Sequence, residues 1–395
     1  MTTSRIGPGQ TGLPDDLRDV VTVELEEIDE TLSVMVAEQA AERTRDGELL
    51  TQRLGLDGER PETLTLLGAR YELSRDRVRQ LYTRATGQMV RRVWATGYPD
   101  TAVFAARYPV GQGDERLVRA LLTEIYATDS DIAAQDLAYL RLRLAGHHLM
   151  DAKRLAGFVF QRIAGWQQRG RWHPLGSRPA EPVTGPLIPL LRQVDWATGN
   201  PDPLPDMPIT TVDSADDARG SIFSDTLGRE TSFDTALEAR LLRMLDESEQ
   251  VASYTERPVA VEYRLDGVQR VHYPTVAARL TDGRALLIDV APLARIAVHG
   301  NRIKLAAAAA VAQGHGWGHL VFTGSRIGEP DLREHTVAAQ QESILLGRLA
   351  QGPVDWSEFR GYATETGIDV TDLAALVLRH GWRWERGPFR LDREG

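Results

Sequence analysis

The sequence predicts a multi-domain α+β protein, with an all-α N-terminal half, a mixed α/β C-terminal half and a small helical tail. Three observations lead there. Up to about residue 170 apolar residues recur at helical spacing. Nine of the chain's 20 prolines fall between 174 and 208. Beyond about 232 come short runs rich in Val, Leu and Ile, separated by turn residues. A length of 395 residues has room for two or three domains, and 42% hydrophobic against 26% charged residues is enough apolar material for ordinary cores.

Residues 15–50 read as an acidic helix, with Leu25, Ile28, Leu32, Met35 and Val36 along one face. Residues 1–50 hold twelve Asp and Glu against four Arg. The charged face is expected to be solvated, the other reading being that it docks on a basic partner or shields the arginines that follow. Residues 48–95 form a basic helical pair, and 114–170 continue helical through Leu117, Ala120, Leu121, Ile125, then Leu155, Phe158 and Ile163. The proline-rich stretch reads as an irregular connector, extended by the acidic residues 213–225.

A helix follows over 233–247, then strands at 259–265, 271–280, 284–291 and 319–323, with an Ala-rich helix over 301–313 before the last. Gly267 and the pair Asp282-Gly283 mark hairpin turns between strands. This α-β-β-β-α-β order predicts a mixed sheet with helices packed on it. Residues 330–395 return to helices and end in an expected short β-hairpin at 381–391, with Trp356, Trp382, Trp384 and Phe389 as the core of that tail. The divisions give units at 15–98, 99–172, 173–231, 232–328 and 329–395.

Several function classes are set aside. The chain has no cysteine, so it has no disulfide, thiolate metal site or cysteine nucleophile. No apolar run approaches the ~20 residues of a membrane span, and the N-terminus has no apolar signal core, so a cytoplasmic protein with no membrane partner is expected. Gly7, Gly9 and Gly12 spell a dinucleotide-binding pattern, but no strand precedes them. His315 and His319 stand four apart with Gly316 and Gly318 between them, which reads as a turn before a strand, not a metal site. His147 and His148 read as surface or core residues.

Net charge is −10, yet its distribution matters more than its sum. Residues 60–95 carry eight Arg against Glu62, Glu72 and Asp76, in a chain with only two lysines, Lys153 and Lys304. Within them, Leu64, Leu67 and Val78 sit at core positions, Gly68 permits a close helix approach, and Tyr71-Glu72-Leu73 supplies a turn. Ser74 is a suitable N-cap for the next helix. Arg75, Asp76, Arg79 and Gln80 would project from its first turns, which enter the DNA major groove in a helix-turn-helix. Arg suits guanine, Gln adenine, and Asp can accept from cytosine, while Arg77 and Arg84 suit phosphates.

Leu56-Asp57-Gly58, Thr63-Leu64, Gly68 and Ser74 through Gln80 are similar to the pattern of region 4 in the sigma-70 family, which reads the promoter −35 element. The resemblance covers about residues 38–92. It implies DNA contacts from Ser74, Arg75, Asp76, Arg77, Arg79 and Gln80. Only some sixty residues, acidic in balance, precede the motif where a sigma factor has a large basic domain, so an autonomous sigma factor is not expected.

Residues 233–323 resemble the PD-(D/E)xK nucleases, in particular the TnsA-like transposon endonucleases, which implies a restriction-endonuclease-like domain. In that family a helix Glu, an Asp after a Pro and an acidic residue two before a Lys hold Mg²⁺ and activate water. Here Glu238 and Asp289 match, Thr275 follows Pro274 where the Asp belongs, and Ala291 stands where the Lys belongs. Lys304 on the following helix is the one amine that could have migrated. No catalysis, metal or cofactor is expected, with Glu238, Asp289 and Lys304 as vestigial residues and Mg²⁺ only if they still form a site. The tail would be a winged-helix-like or docking element.

The expectation from sequence is therefore a sequence-specific double-stranded-DNA-binding protein. Its inactive nuclease-like domain would hold DNA or dock a protein, in transcription regulation or on mobile-element or defence DNA. One alternative is a divergent Mg-dependent DNA endonuclease. The other is an RNA-polymerase-associated protein whose sigma-like module meets protein instead of DNA. A polymerase, transposase or defence protein are the partner classes in view.

Overall fold

The computed structural model describes residues 23–96, 101–171, 187–209, 220–325 and 327–393. It is mixed α+β, helical up to Arg171 and built of sheets and helices from Gly220 onward. Gly7, Gly9 and Gly12 lie outside the described residues, as do the first residues of the expected acidic helix.

The acidic stretch forms two helices, α1 (Val23–Glu42) and α2 (Thr44–Leu54). They fold tightly on each other, because a Cβ at Gly47 would lie 2.2 Å from that of Ala40. α3 (Leu64–Tyr71) and α4 (Arg75–Thr96) follow, then α5 (Ala102–Arg107), α6 (Asp114–Ala127), α7 (Ala134–Leu144) and α8 (Leu149–Arg171). Ile28, Leu50, Leu67, Val78, Phe104, Leu121, Leu137 and Val159 are buried in one cluster, so α1 through α8 share a single core. A charge lies inside it: Arg141, 1% exposed, donates to Asp29 at 2.8 Å and Glu124 at 3.2 Å.

The connector is more ordered than its composition predicts. α9 (Leu187–Leu191) buries Leu187 and Leu190 on the C-terminal core. The hairpin of β1 (Gly220–Ser224) and β2 (Arg229–Phe233) occupies part of the expected acidic extension. Then come α10 (Ala236–Asp246), β3 (Val251–Glu256), β4 (Val261–Leu265), β5 (Val268–His272), β6 (Val276–Leu280), β7 (Ala285–Val290), α11 (His299–Gly314) and β8 (Gly318–Phe322). The run expected as one strand over 271–280 is divided between β5 and β6, with Pro274, which has no N–H to give a ladder, in the break.

The main sheet has the order β3-β6-β7-β8, with only β7 and β8 parallel, joined through α11. β4 and β5 form a separate hairpin that turns at Asp266-Gly267, both at positive φ (49° and 81°), as a tight turn between twisted strands demands. The outer edge of β8 would leave its backbone unpaired, and the connector fills that need. Asp195 and His319 exchange both backbone hydrogen bonds, at 3.3 and 3.1 Å.

The tail holds α12 (Glu329–Glu334), α13 (Ala339–Leu349), β9 (Val354–Asp355), α14 (Trp356–Thr366), α15 (Val370–His380), β10 (Arg383–Glu385) and β11 (Arg390–Asp392), with strand order β10-β11-β9. Trp382, Trp384 and Phe389 are buried there, and Trp356 meets Phe389 edge-on with centroids 5.4 Å apart. This tail closes on α1. Arg386 donates to Glu26 at 2.7 Å and Asp29 at 3.2 Å, and the backbone N–H of Phe389 donates to Glu30 at 2.6 Å. The acidic face of α1 is thus engaged inside the molecule, where a solvated face was expected. The sequence could not reveal this, because its partners lie some 360 residues away.

Arg386→Met should therefore leave Glu26 and Asp29 buried without their shared cation, costing roughly 3–5 kcal/mol. Urea unfolding monitored by circular dichroism would measure it, and a loss below about 0.5 kcal/mol, the usual range of a surface substitution, would count against this seam.

Candidate nucleic-acid interface

The α3–α4 pair is set by local chemistry. Thr63 caps α3, its hydroxyl accepting from the N–H of Leu66 at 3.1 Å. The chain leaves α3 through Glu72 in the left-handed region (φ 55°), and the N–H of Leu73 turns back to the carbonyl of Gly68 at 2.8 Å. A Cβ at Gly68 would lie 2.7 Å from the carbonyl oxygen of Leu73, so the turn itself requires glycine here. Ser74 caps α4, accepting from the N–H of Arg77 at 3.3 Å. Leu67 and Val78 are fully buried and hold the pair on the core.

With the apolar side fixed inward, Ser74, Asp76, Arg77, Arg79 and Gln80 are exposed and Arg75 is half-buried. Arg77 donates to Gln80 at 3.2 Å. Among the described residues neither Arg77 nor Arg79 has a carboxylate partner. Arg84 differs: it donates to both oxygens of Asp46 on α2, at 3.0 and 3.1 Å. Of the seven side chains singled out, Arg84 is thus committed to a carboxylate of the helical half, and the first turns of α4 present the others.

Glu238, Asp289 and Lys304 are each engaged by a different group. Glu238, on the first turn of α10, accepts from Arg60 at 2.8 Å and from the N–H of Asp234 at 2.6 Å. Asp289, near the end of β7, accepts from His272 at 2.5 Å and from His319 at 2.9 Å. Register explains the second contact: Leu287 lies opposite His319 and Asp289 opposite Val321, so Asp289 and His319 share one face of adjacent strands. Lys304 on α11 donates to Glu59 at 2.6 Å. Glu238 and Asp289 are buried, and Lys304 is 15% exposed along its side chain. Among the described residues no group of three or more His, Asp or Glu side chains is placed to hold a metal ion.

Two of these partners, Glu59 and Arg60, come from the loop between α2 and α3, and spacing gives no hint of their role. The loop docks through its backbone as well. Asn301 donates to the carbonyl of Gly58 at 3.0 Å and Arg295 to that of Glu59 at 3.1 Å. Gly58 has φ 85°, and a Cβ there would meet Val298 at 2.9 Å, so this glycine is the one sequence signal of the docking. Arg60 also lies 3.7 Å from Asp129 and 3.8 Å from Asp234. Nor does spacing mark His272 and His319 as partners of Asp289.

Electrostatics follow from this enclosure. Burial works to raise the Glu59 carboxyl, and Lys304 outweighs it, holding it below its usual range. Burial works to lower Lys304, and Glu59 outweighs that, raising it. The pair is thus charged across neutral pH; its contribution is lost as pH falls below the ordinary carboxylate range or rises above the ordinary lysine range. Burial likewise works against the Asp289 anion and is overcome by His272 and His319, which lower its pKa. Asp131 goes the other way. Burial and then the neighbouring Asp129 push it up to about 8, although it accepts from the N–H of Ala236 at 3.2 Å.

No model of a known protein family matches this sequence, and no curated protein matches it significantly. Among the described residues no helix is long and apolar enough to cross a membrane.

Two outcomes follow. Lys304→Ala strands Glu59 and should cost roughly 3 kcal/mol, while Lys304→Met with Glu59→Leu should recover most of it; chemical unfolding of both variants checks this, and equal losses would contradict the pairing. For Asp131 the folded pKa lies above the unfolded one, so its penalty is absent below about pH 4 and complete above about 8. Asp131→Asn keeps the acceptor for Ala236 and should stabilise the protein by several kcal/mol at pH 9, with no gain at pH 4. Thermal unfolding at both values measures it; a gain independent of pH would rule out titration of Asp131 as the cause.

Proposed function

We propose that this protein binds double-stranded DNA in a sequence-specific way through a helix-turn-helix formed by α3 and α4, and that its C-terminal domain is a non-catalytic, nuclease-like platform. One observation carries the first part. Asp76, Arg77, Arg79 and Gln80 stand exposed on the first turns of a capped helix whose other side is locked in the core. Such side chains can reach base edges when the helix enters a major groove. A sigma-70 region 4-like reading of the same residues supports this choice of face.

The second part is supported by the engagement of Glu238 with Arg60, Asp289 with two histidines, and Lys304 with Glu59. A metal-dependent nuclease needs its carboxylates converging on one cation and an amine beside the attacking water. These residues do not fit Mg²⁺ as placed, and the endonuclease reading is disfavoured for that reason.

The test is selection from a random duplex pool in Mg²⁺ at stated salt, followed by binding of the selected motif. Arg79→Ala should lose about 1–3 kcal/mol on that motif and relax preference at one position, with the DNA left uncut. Failure to enrich any motif would refute sequence-specific reading. Cleavage that Asp289→Ala abolishes would restore the endonuclease.

A further inference from the structure

Beside the face just described runs a trough of about 740 Å³ between α4 and α8, with α7 contributing to its lining. Arg75 and Arg79 border it at the end of the reading turns; Arg91 lies farther along α4; Lys153 faces them from α8. Tyr139 and Phe160 supply flat apolar surface between these cations. Among the described residues Arg79, Arg91 and Lys153 have no hydrogen-bond or ion-pair partner. The one carboxylate in the lining, Asp136, is taken by Arg53 at 2.7 Å. A trough with this charge balance is complementary to a polyanion.

Resting on the helix-turn-helix reading, we propose that this trough receives the sugar–phosphate backbone of one strand of the same duplex, with Arg91 and Lys153 as phosphate contacts outside the motif. The geometry favours a duplex backbone. A helix is about 10–12 Å across and the major groove about 12 Å wide, so a seated helix has a phosphate chain along each flank. Arg75 and Arg79 lie on the flank that faces α8, and the chain on that side would enter the trough. At 1.5 Å per residue Arg91 is about 24 Å along the axis from Arg75, a reach of several phosphates. Helices α7 and α8 then act as a second wall of the DNA site, beyond their part in the core.

Phosphate contacts carry no sequence information but release counterions, so they have a signature separate from base reading. The experiment compares the full chain, Arg91→Ala/Lys153→Ala and Lys153→Arg on a duplex bearing the selected motif and on a scrambled duplex, across a salt series. Thermal unfolding serves as the folding control. The double variant should weaken on both duplexes by a similar factor. Its slope of log affinity against log salt should become shallower by about 0.9 for each phosphate it no longer neutralises, with the motif unchanged. Lys153→Arg should keep the wild-type slope. A double variant with wild-type affinity and slope, while wild type still selects its motif, overturns the trough and leaves the helix-turn-helix standing. Wild type that binds no duplex overturns both, and a single-stranded oligonucleotide that outcompetes the duplex through Arg91 and Lys153 overturns the duplex backbone as occupant.

Discussion

The interaction on which the rest depends is the docking of Gly58, Glu59 and Arg60 into the C-terminal half. This loop joins α2 to α3, so its attachment fixes where α3 and α4 stand relative to the main sheet. Its charges are satisfied only when both halves are present: Lys304 needs Glu59, and Glu238 needs Arg60. Removing an ion from water costs several kcal/mol unless a well-placed partner offsets it, so a separated half would expose or strand these groups. A second seam, Arg386 on Glu26 and Asp29, ties the tail to α1 right beside this loop, since a Cβ at Gly58 would lie 3.4 Å from Arg386 Cδ. The two seams make the helical half and the sheet half energetically interdependent, although no single apolar cluster spans them all.

This internal pairing also shapes the outer field. In a chain of net charge −10, a basic surface needs its acids placed elsewhere. Glu26 and Asp29 are consumed by Arg386 and Arg141, Asp46 by Arg84, Glu62 by Arg70, and Asp136 by Arg53. Among the described residues Arg77, Arg79 and Arg91 around α4, and Lys153 across the trough, have no carboxylate partner. On the proposed reading α1 leaves the first turns of α4 open, because Glu26, Glu27 and Asp29 hold Arg386, Arg360 and Arg141.

Legibility in the sequence followed the range of the interaction. The α3–α4 turn was readable because Gly68, Leu73 and Ser74 settle it among themselves within a few residues. The hairpin after β4 was readable from Gly267, since a positive φ favours few residue types. The core of the tail was readable from its aromatic residues. The ordering of the connector was not, because Asp195 is held by the edge of β8, which composition does not describe. The partners of the buried charges were least readable. Glu59 and Lys304 are 245 residues apart, and nothing local marks either as half of a pair except the glycine that lets the loop approach.

On the nuclease-like reading, those charges have a common logic. A metal-holding site balances clustered carboxylates with a divalent cation and keeps an amine nearby. With threonine at 275 and alanine at 291, one carboxylate and one amine of that set are gone, and the survivors still require neutralisation because they remain buried. Glu238 has it from a guanidinium and Asp289 from two imidazoles, while Lys304, outside the matched positions, is offset by a carboxylate. Removing Arg60 or Glu59 would leave a buried charge without its counter-ion, whereas Asp289 would keep one imidazole if the other were removed. On that reading two of the three charges, Glu238 and Lys304, are balanced across the two halves of the fold, and Asp289 within the sheet half.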